Sequence, residues 1–219
     1  GDPKQVAAAT LAMPLFMFMT ALSNLFGVGG ASLISRFLGG GEREKASRCG
    51  AFCIWTAVAV SVLYGLMVLA GRPVLLPVLG ANEETCDMAS SYLFWTIGLG
   101  ALPTVMNPAL AHLIRSEGYS RQASLGVAFG GILNMVLDPL FIYGLHLQIT
   151  GAAVATLISN ATAMIYFLAF IWKMRGVSVL TLSPGMYTLG EHIPAEVISV
   201  GMPSFLISMM GTVSNMVLN

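Results

Sequence analysis

The chain has 219 residues, 56% of them hydrophobic and only 9% charged, with ten basic side chains balanced by ten acidic ones and a mean hydropathy of +0.81. A soluble domain carries about 25% charged residues and could not hide this much apolar surface, so the composition excludes an ordinary soluble fold. It predicts an all-α, polytopic transmembrane helix bundle. A net charge of zero supplies no argument for a nucleic-acid partner, and none is expected.

Taken in chain order, the first apolar segment covers residues 6–34 and carries Pro14 together with Gly27, Gly29 and Gly30. The run from Gly27 to Ser32 approaches a dinucleotide-binding loop, but it lacks the third glycine and no strand precedes it. Close helix packing through small residues accounts for it better. A loop from Gly39 to Arg43 leads to the second segment, residues 51–70. Cys49 and Cys53, four apart, share one helix face as small packing residues. Gly71, Arg72 and Pro73 read as a turn, followed by a loop with the solvated charges Glu83 and Glu84 and a solitary Cys86. Glu42 and Lys45 read likewise as solvated loop charges.

The third segment covers residues 91–114, with Pro103, Asn107 and Pro108 inside it. After the turn from Arg115 to Gly118 comes the fourth, residues 123–145 (ASLGVAFGGILNMVLDPLFIYGL), which is long enough to cross a bilayer and contains one charge, Asp138. The link His146, Leu147 and Gln148 leads to the fifth, residues 152–172, with Thr156 and Asn160 one turn apart. His112 and His146, with no acid or second histidine at ligand spacing, read as interfacial residues. A longer polar connection, residues 175–193, precedes the last segment, which starts near Pro194 and is still apolar at Asn219. That connection is the expected lobe boundary. The count is five complete spans plus the start of a sixth. Because the chain opens on Gly1 and stops within an apolar run, it is expected to be a piece of a larger protein.

Six spans alternate the loops between two sides. Arg36, Arg43, Lys45, Arg48, Arg115, Arg121, Lys173 and Arg175 fall on one side, and Lys4 and Arg72 on the other with Asp2, Glu83, Glu84 and Asp87. This bias places the first side in the cytoplasm and the protein in a cell inner or plasma membrane.

Asp138 is the most informative residue. A carboxylate in hydrocarbon costs several kcal/mol (of the order of 3 on insertion scales) unless it has a partner or a wet cavity, so it defaults to an ion or proton site. Asn134 lies one turn earlier on the same face. Pro139 lacks an N–H and frees the carbonyl of Met135. Membrane Asn and Thr residues such as Asn107 and Thr156 often serve only as interhelical glue. Catalysis would need a second acid, a nucleophile–base pair or a His-rich metal site at membrane depth, so no enzyme and no cofactor is expected.

Several blocks resemble multidrug and toxic compound extrusion (MATE) transporters: FGVGGASLISRFLGGGEREKA (26–46), LIRSEGYSRQA (113–123), GGILNMVLDPLFIYGL (130–145) and GAAVATLISN (151–160). The resemblance implies half of a twelve-helix, two-bundle transporter. Residues 1–175 would hold helices two to six of the first bundle, 176–193 the cytoplasmic linker, and 194–219 the first helix of the second. It further implies an antiporter that exports drugs or organic cations in exchange for Na⁺ or H⁺. Its partners would be the bilayer, a xenobiotic substrate and the remaining helices. The family's coupling site carries over to Asp138, Asn134 and Thr156, with Asn107 beside them; the first three would hold Na⁺ if Na⁺ couples. A second acid expected from the family's first helix is absent from this sequence. A lipid-linked oligosaccharide flippase of the same superfamily, or a non-transporting membrane remnant, is the alternative; the flippase is disfavoured because no Lys or Arg lies mid-span.

Overall fold

The computed structural model describes residues 3–79, 83–190 and 192–218, and side chains within 9–79, 85–190 and 192–211. Gly1, Asp2 and Asn219 lie outside the described residues, as do the side chains of Lys4, Glu83 and Glu84. The helices are α1 (Pro3–Gly39), α2 (Arg43–Val78), α3 (Glu83–Leu93), α4 (Ala101–Ser116), α5 (Ser120–Pro139), α6 (Gln148–Lys173) and α7 (Ile193–Leu218). Five stretches are long and apolar enough to cross a membrane, and α3 with α4 makes a sixth if that pair, bent by 45°, is one span. The expected spans are therefore present, with two departures in shape.

The first departure is at Gly71, Arg72 and Pro73, which form no turn: α2 runs through them to Val78. Pro73 cannot donate to the carbonyl of Leu69 one turn back, which should break the helix. The Arg72 side chain supplies the missing donor, its Nε lying 3.4 Å from the Leu69 carbonyl oxygen, while its Nη1 donates to Ser90 Oγ at 3.1 Å. Cys86, expected in a loop, consequently sits in α3.

The second departure is the bend in the third span. A widened π-type turn over Phe94–Leu99 ends at Gly100, where α4 begins. A Cβ on Gly100 would lie 2.2 Å from the Thr96 carbonyl oxygen, so only glycine permits this approach. Pro103 falls in the first turn of α4, where its missing N–H costs little. A second π-type turn, Leu140–Gly144, follows Pro139.

α1 is the organising helix, packing against α2, α3, α4 and α7. Its glycines each admit a different neighbour. Gly27 faces Ala109 and His112 of α4, Gly29 faces the Val197 carbonyl of α7, and Gly30 faces Cys53 of α2 and Leu113 of α4. The glycine run is thus a packing device, as its small residues suggested. Cys49 and Cys53 are buried beside it. His146 is exposed as expected, whereas His112 is half-buried against Gly27. α5 lies at the periphery and exposes Ile132, Met135 and Val136. Such a face fits lipid.

The loops with basic residues gather at one end. Arg43 donates to the Val177 carbonyl at 2.7 Å, and Arg36 pairs with Glu196 at the start of α7. Glu42 and Lys45 are surface charges that pair with each other. Between α6 and α7 the connection contains only a short 3₁₀ turn, Pro184–Met186, yet it is firmly tied. The Glu117 carboxylate accepts from Ser178 Oγ at 2.6 Å, Val179 N at 2.5 Å and Leu180 N at 3.2 Å. Leu180 is buried by this docking, in contact distance of Gly50 on α2.

Candidate functional site

Asn134 and Asp138 occupy the half-buried side of α5, the side turned toward α6. Their spacing of four residues stacks them on one helix face. Asn134 Nδ2 donates to Asp138 Oδ1 at 3.3 Å and lies 3.5 Å from Thr156 Oγ1 on α6, a longer and weaker contact. Three of the four residues singled out from the sequence are therefore brought together around one amide. Gly130 and Gly126 make this possible: a Cβ at Gly130 would lie 3.1 Å from Ala163 Cβ, and one at Gly126 2.4 Å from the Phe167 ring. Small residues let α5 approach α6 closely enough for short polar side chains to meet.

The fourth residue, Asn107, makes its hydrogen bond to a different side chain. Its Nδ2 donates to Asn160 Oδ1 at 2.9 Å, and Asn160 Nδ2 donates in turn to Thr104 Oγ1 at 3.2 Å. This second cluster joins α4 to α6 one helical turn from Thr156, and no hydrogen bond connects Asn107 with Asp138, Asn134 or Thr156 among the described residues. Asn107 Oδ1 is buried without a partner there. An unpaired buried carbonyl oxygen costs roughly 1–3 kcal/mol. That makes it an acceptor waiting for a donor.

Next to Thr156 opens a cavity of about 330 Å³, walled by Ala12 and Phe16 of α1, by Tyr92 and Thr96 of the bent span, and by Thr156 itself. Thr96 is 3% exposed, and its hydroxyl interacts with that of Tyr92 one turn earlier. Tyr92 lies within electrostatic reach of Asp138. Tyr92, Thr96, Thr104 and Asn160 were not singled out as site residues. Tyr92 and Thr96 are four apart and share a face, a faint signal, but one Tyr and one Thr in an apolar span are too common to stand out.

Among the described residues no group of three or more His, Cys, Asp or Glu could hold a metal ion. The oxygens near Asp138 come from a carboxylate, an amide and a hydroxyl, a hard donor set suited to a proton or an alkali cation rather than to a thiolate- or imidazole-seeking metal.

Long apolar helices, one of them bent, define a multi-pass helical membrane protein. The MatE family model matches residues 2–140, and the chain belongs to that family. The multidrug export protein MepA of Staphylococcus saprophyticus subsp. saprophyticus is 32% identical over 219 residues, which is 100% of this chain and 48% of that protein. A MATE structure solved in complex with MaD3S superposes with a TM-score of 0.91 at 28% identity, covering 99% of this chain and 48% of the other. An outward-facing multidrug resistance MATE family transporter of the MOP superfamily gives 0.87 at 28% identity, over 98% and 47%. The chain spans about half the length of the curated relatives it matches.

Proposed function

We propose that this chain is part of a secondary antiporter that exports drugs or organic cations in exchange for H⁺ or Na⁺, with Asp138 as the coupling carboxylate. The observation that carries the reading is the Asn134–Asp138–Thr156 cluster, set between two membrane-spanning helices and beside a mostly apolar cavity to which Tyr92, Thr96 and Thr156 contribute hydroxyls. The similarity to a multidrug export protein supports the direction and the cargo class. On this reading the chain transports nothing by itself. Its activity belongs to the complete protein.

The carboxylate binds the coupling ion. When ionised, it accepts the Asn134 N–H; when protonated, it gives up most of that attraction and frees the Asn134 amide, the group that reaches Thr156 on α6, to reorient. If Na⁺ couples, Asp138, Thr156 Oγ1 and the Asn134 amide oxygen supply hard ligands. Ion binding shifts the population between two packings of the helices, and export follows from their different access to the two sides. Residues 1–175 act as first-bundle helices, 176–193 as a cytoplasmic linker and 194–219 as the first helix of a second bundle. Arg43, Lys45, Arg115, Arg121 and Arg175 face the cytoplasm, in keeping with the excess of basic residues at that end.

The test is Asp138→Asn in the complete protein. Expression and membrane insertion should match the parent while efflux driven by a Na⁺ or H⁺ gradient disappears. Undiminished drug efflux by the correctly inserted variant would refute the assignment.

A further inference from the structure

A second cavity, of about 340 Å³, opens where α6 leaves its span, between the last turn of that helix and the docked linker. Trp172 and Arg175 form its α6 side, and Leu180, Thr181, Leu182 and Ser183 form the facing side. Nothing in the transport reading uses it. Its composition is distinctive for its depth. Trp172 is 64% exposed at the end of a membrane span, the position that tryptophan takes at the headgroup level.

The basic residues at this end divide into two groups. Arg36 pairs with Glu196, Lys45 with Glu42 and Arg48 with Glu44, while Arg43 is held by the Val177 carbonyl. Arg175 forms no ion pair among the described residues. Neither does its neighbour Lys173. The nearest acid along the docked linker, Glu117, is committed to Ser178 Oγ and to two backbone N–H groups. The carbonyl end of α6 carries about half a negative charge and alone would repel an anion. The full positive charge of Arg175 on the cleft wall outweighs it. Thr181 Oγ1 accepts the Ser183 N–H at 3.1 Å, which leaves the hydroxyl proton of Thr181 and that of Ser183 to donate.

We infer that this cleft binds a phosphate group at the membrane surface, with Arg175 as the principal cation, Thr181 and Ser183 as hydroxyl donors, and the anionic headgroup of a phospholipid as its source. Guanidinium recognises phosphate through paired N–H donors. Basic pockets beside membrane helices are suited to anionic headgroups. The exposed Trp172 ring and the half-buried Leu182 side chain fit the glycerol and upper acyl region of a lipid, which a free phosphate would leave unused. The inference does not depend on Asp138 or on transport, so either can fail alone.

The experiment uses the complete protein in mixed detergent micelles containing phosphatidylglycerol and phosphatidylcholine, with retained lipid counted by native mass spectrometry. The protein should retain phosphatidylglycerol in preference, and Arg175→Gln should lower that preference about tenfold, the value of one charge-assisted contact. Arg175→Lys, which keeps the charge but gives up the planar fork, should fall between them. Arg121→Gln, at the same end but outside the cleft, should change nothing. Arg175 is exposed and its side chain holds no partner, so these variants leave the fold intact. Inorganic phosphate added in excess separates the two sources. Retained phosphatidylglycerol supports the lipid, and complete displacement shows a free-phosphate site and overturns the lipid assignment. Equal retention of both lipids, or an unaltered preference in Arg175→Gln, overturns the site altogether.

Discussion

Replacing Glu117 with alanine should release the linker between α6 and α7 while leaving the helices assembled. Glu117 accepts three hydrogen bonds from the linker, from Ser178 Oγ at 2.6 Å, Val179 N at 2.5 Å and Leu180 N at 3.2 Å. A hydrogen bond to a charged acceptor contributes about 1.5–3 kcal/mol, and a half-buried acceptor shared with water belongs at or below the low end. Taking about 1 kcal/mol for each, removal of the carboxylate costs about 3 kcal/mol of docking energy. At 1.4 kcal/mol per tenfold, the amides of Val179 and Leu180 should exchange about 100-fold faster. Hydrogen–deuterium exchange on peptides covering residues 176–183 reads this directly. Glu117→Gln, which keeps one acceptor oxygen, should give an intermediate rate. Ser178→Ala removes one of the three contacts and also the Ser178 oxygen that accepts the Leu180 N–H at 3.0 Å, so it should fall nearer the glutamine variant than the alanine one. Unchanged exchange in a folded Glu117→Ala protein would show that the carboxylate does not hold the linker.

Gly126→Val should destabilise the α5–α6 pair, because its Cβ would meet the buried Phe167 ring at 2.4 Å. Overpacking of this kind costs about 1–3 kcal/mol, visible as a lowered Tm in detergent, and an unaltered melt would contradict the packing. Asn160→Ala removes both hydrogen bonds between α6 and α4. Membrane-buried hydrogen bonds average about 0.6 kcal/mol, so a loss near 1 kcal/mol in unfolding free energy is expected, and a neutral result would mean the contacts carry no net energy. Cys86 is half-exposed in α3, whereas Cys49 and Cys53 are buried. A membrane-impermeant maleimide applied to intact cells should label Cys86 and spare the other two; labelling only after the membrane is opened would reverse the proposed orientation.

The spans were legible because the code for them is one-dimensional: about 20 apolar residues between charges. Asp138 was legible for the same reason, being the only charge in its segment. What the sequence hides is how helices meet. The resemblance sets Asn107 beside Asp138, and no local pattern foretells that its hydrogen bond goes to Asn160, one turn from Thr156. Arg72 and Pro73 had the composition of a turn, and only the three-dimensional path shows the Arg72 side chain repairing the hydrogen bond that Pro73 removes. The glycine run was read correctly as packing, but the division of its three glycines among α2, α4 and α7 depends on crossing geometry that no local pattern encodes. The same holds for Glu117, an ordinary loop acid until the linker folds back on it.

The direction of the Asn134 amide bears on the antiport reading. A carboxylate offers about four lone-pair sites, and among the described residues Asp138 has one hydrogen-bond donor, Asn134 Nδ2. The same nitrogen reaches Thr156 Oγ1, so the amide presents N–H, not carbonyl, to both partners. A proton arriving at Asp138 removes the charge that holds the amide, and no ligand has to move. A sodium ion requires more, because an N–H pointing at a cation is repulsive: the amide must make a half-turn to present Oδ1 and surrender both hydrogen bonds. The two coupling ions therefore ask different things of one side chain. Proton coupling needs Asn134 chiefly as a donor to the ionised acid, whereas sodium coupling needs its oxygen as a ligand. Beside Asn160, one turn along α6 from Thr156, Asn107 Oδ1 is buried with no partner among the described residues. On the antiport reading, whichever ion arrives at Asp138 acts first on the Asn134 amide, the side chain that touches both Asp138 on its own helix and Thr156 on α6.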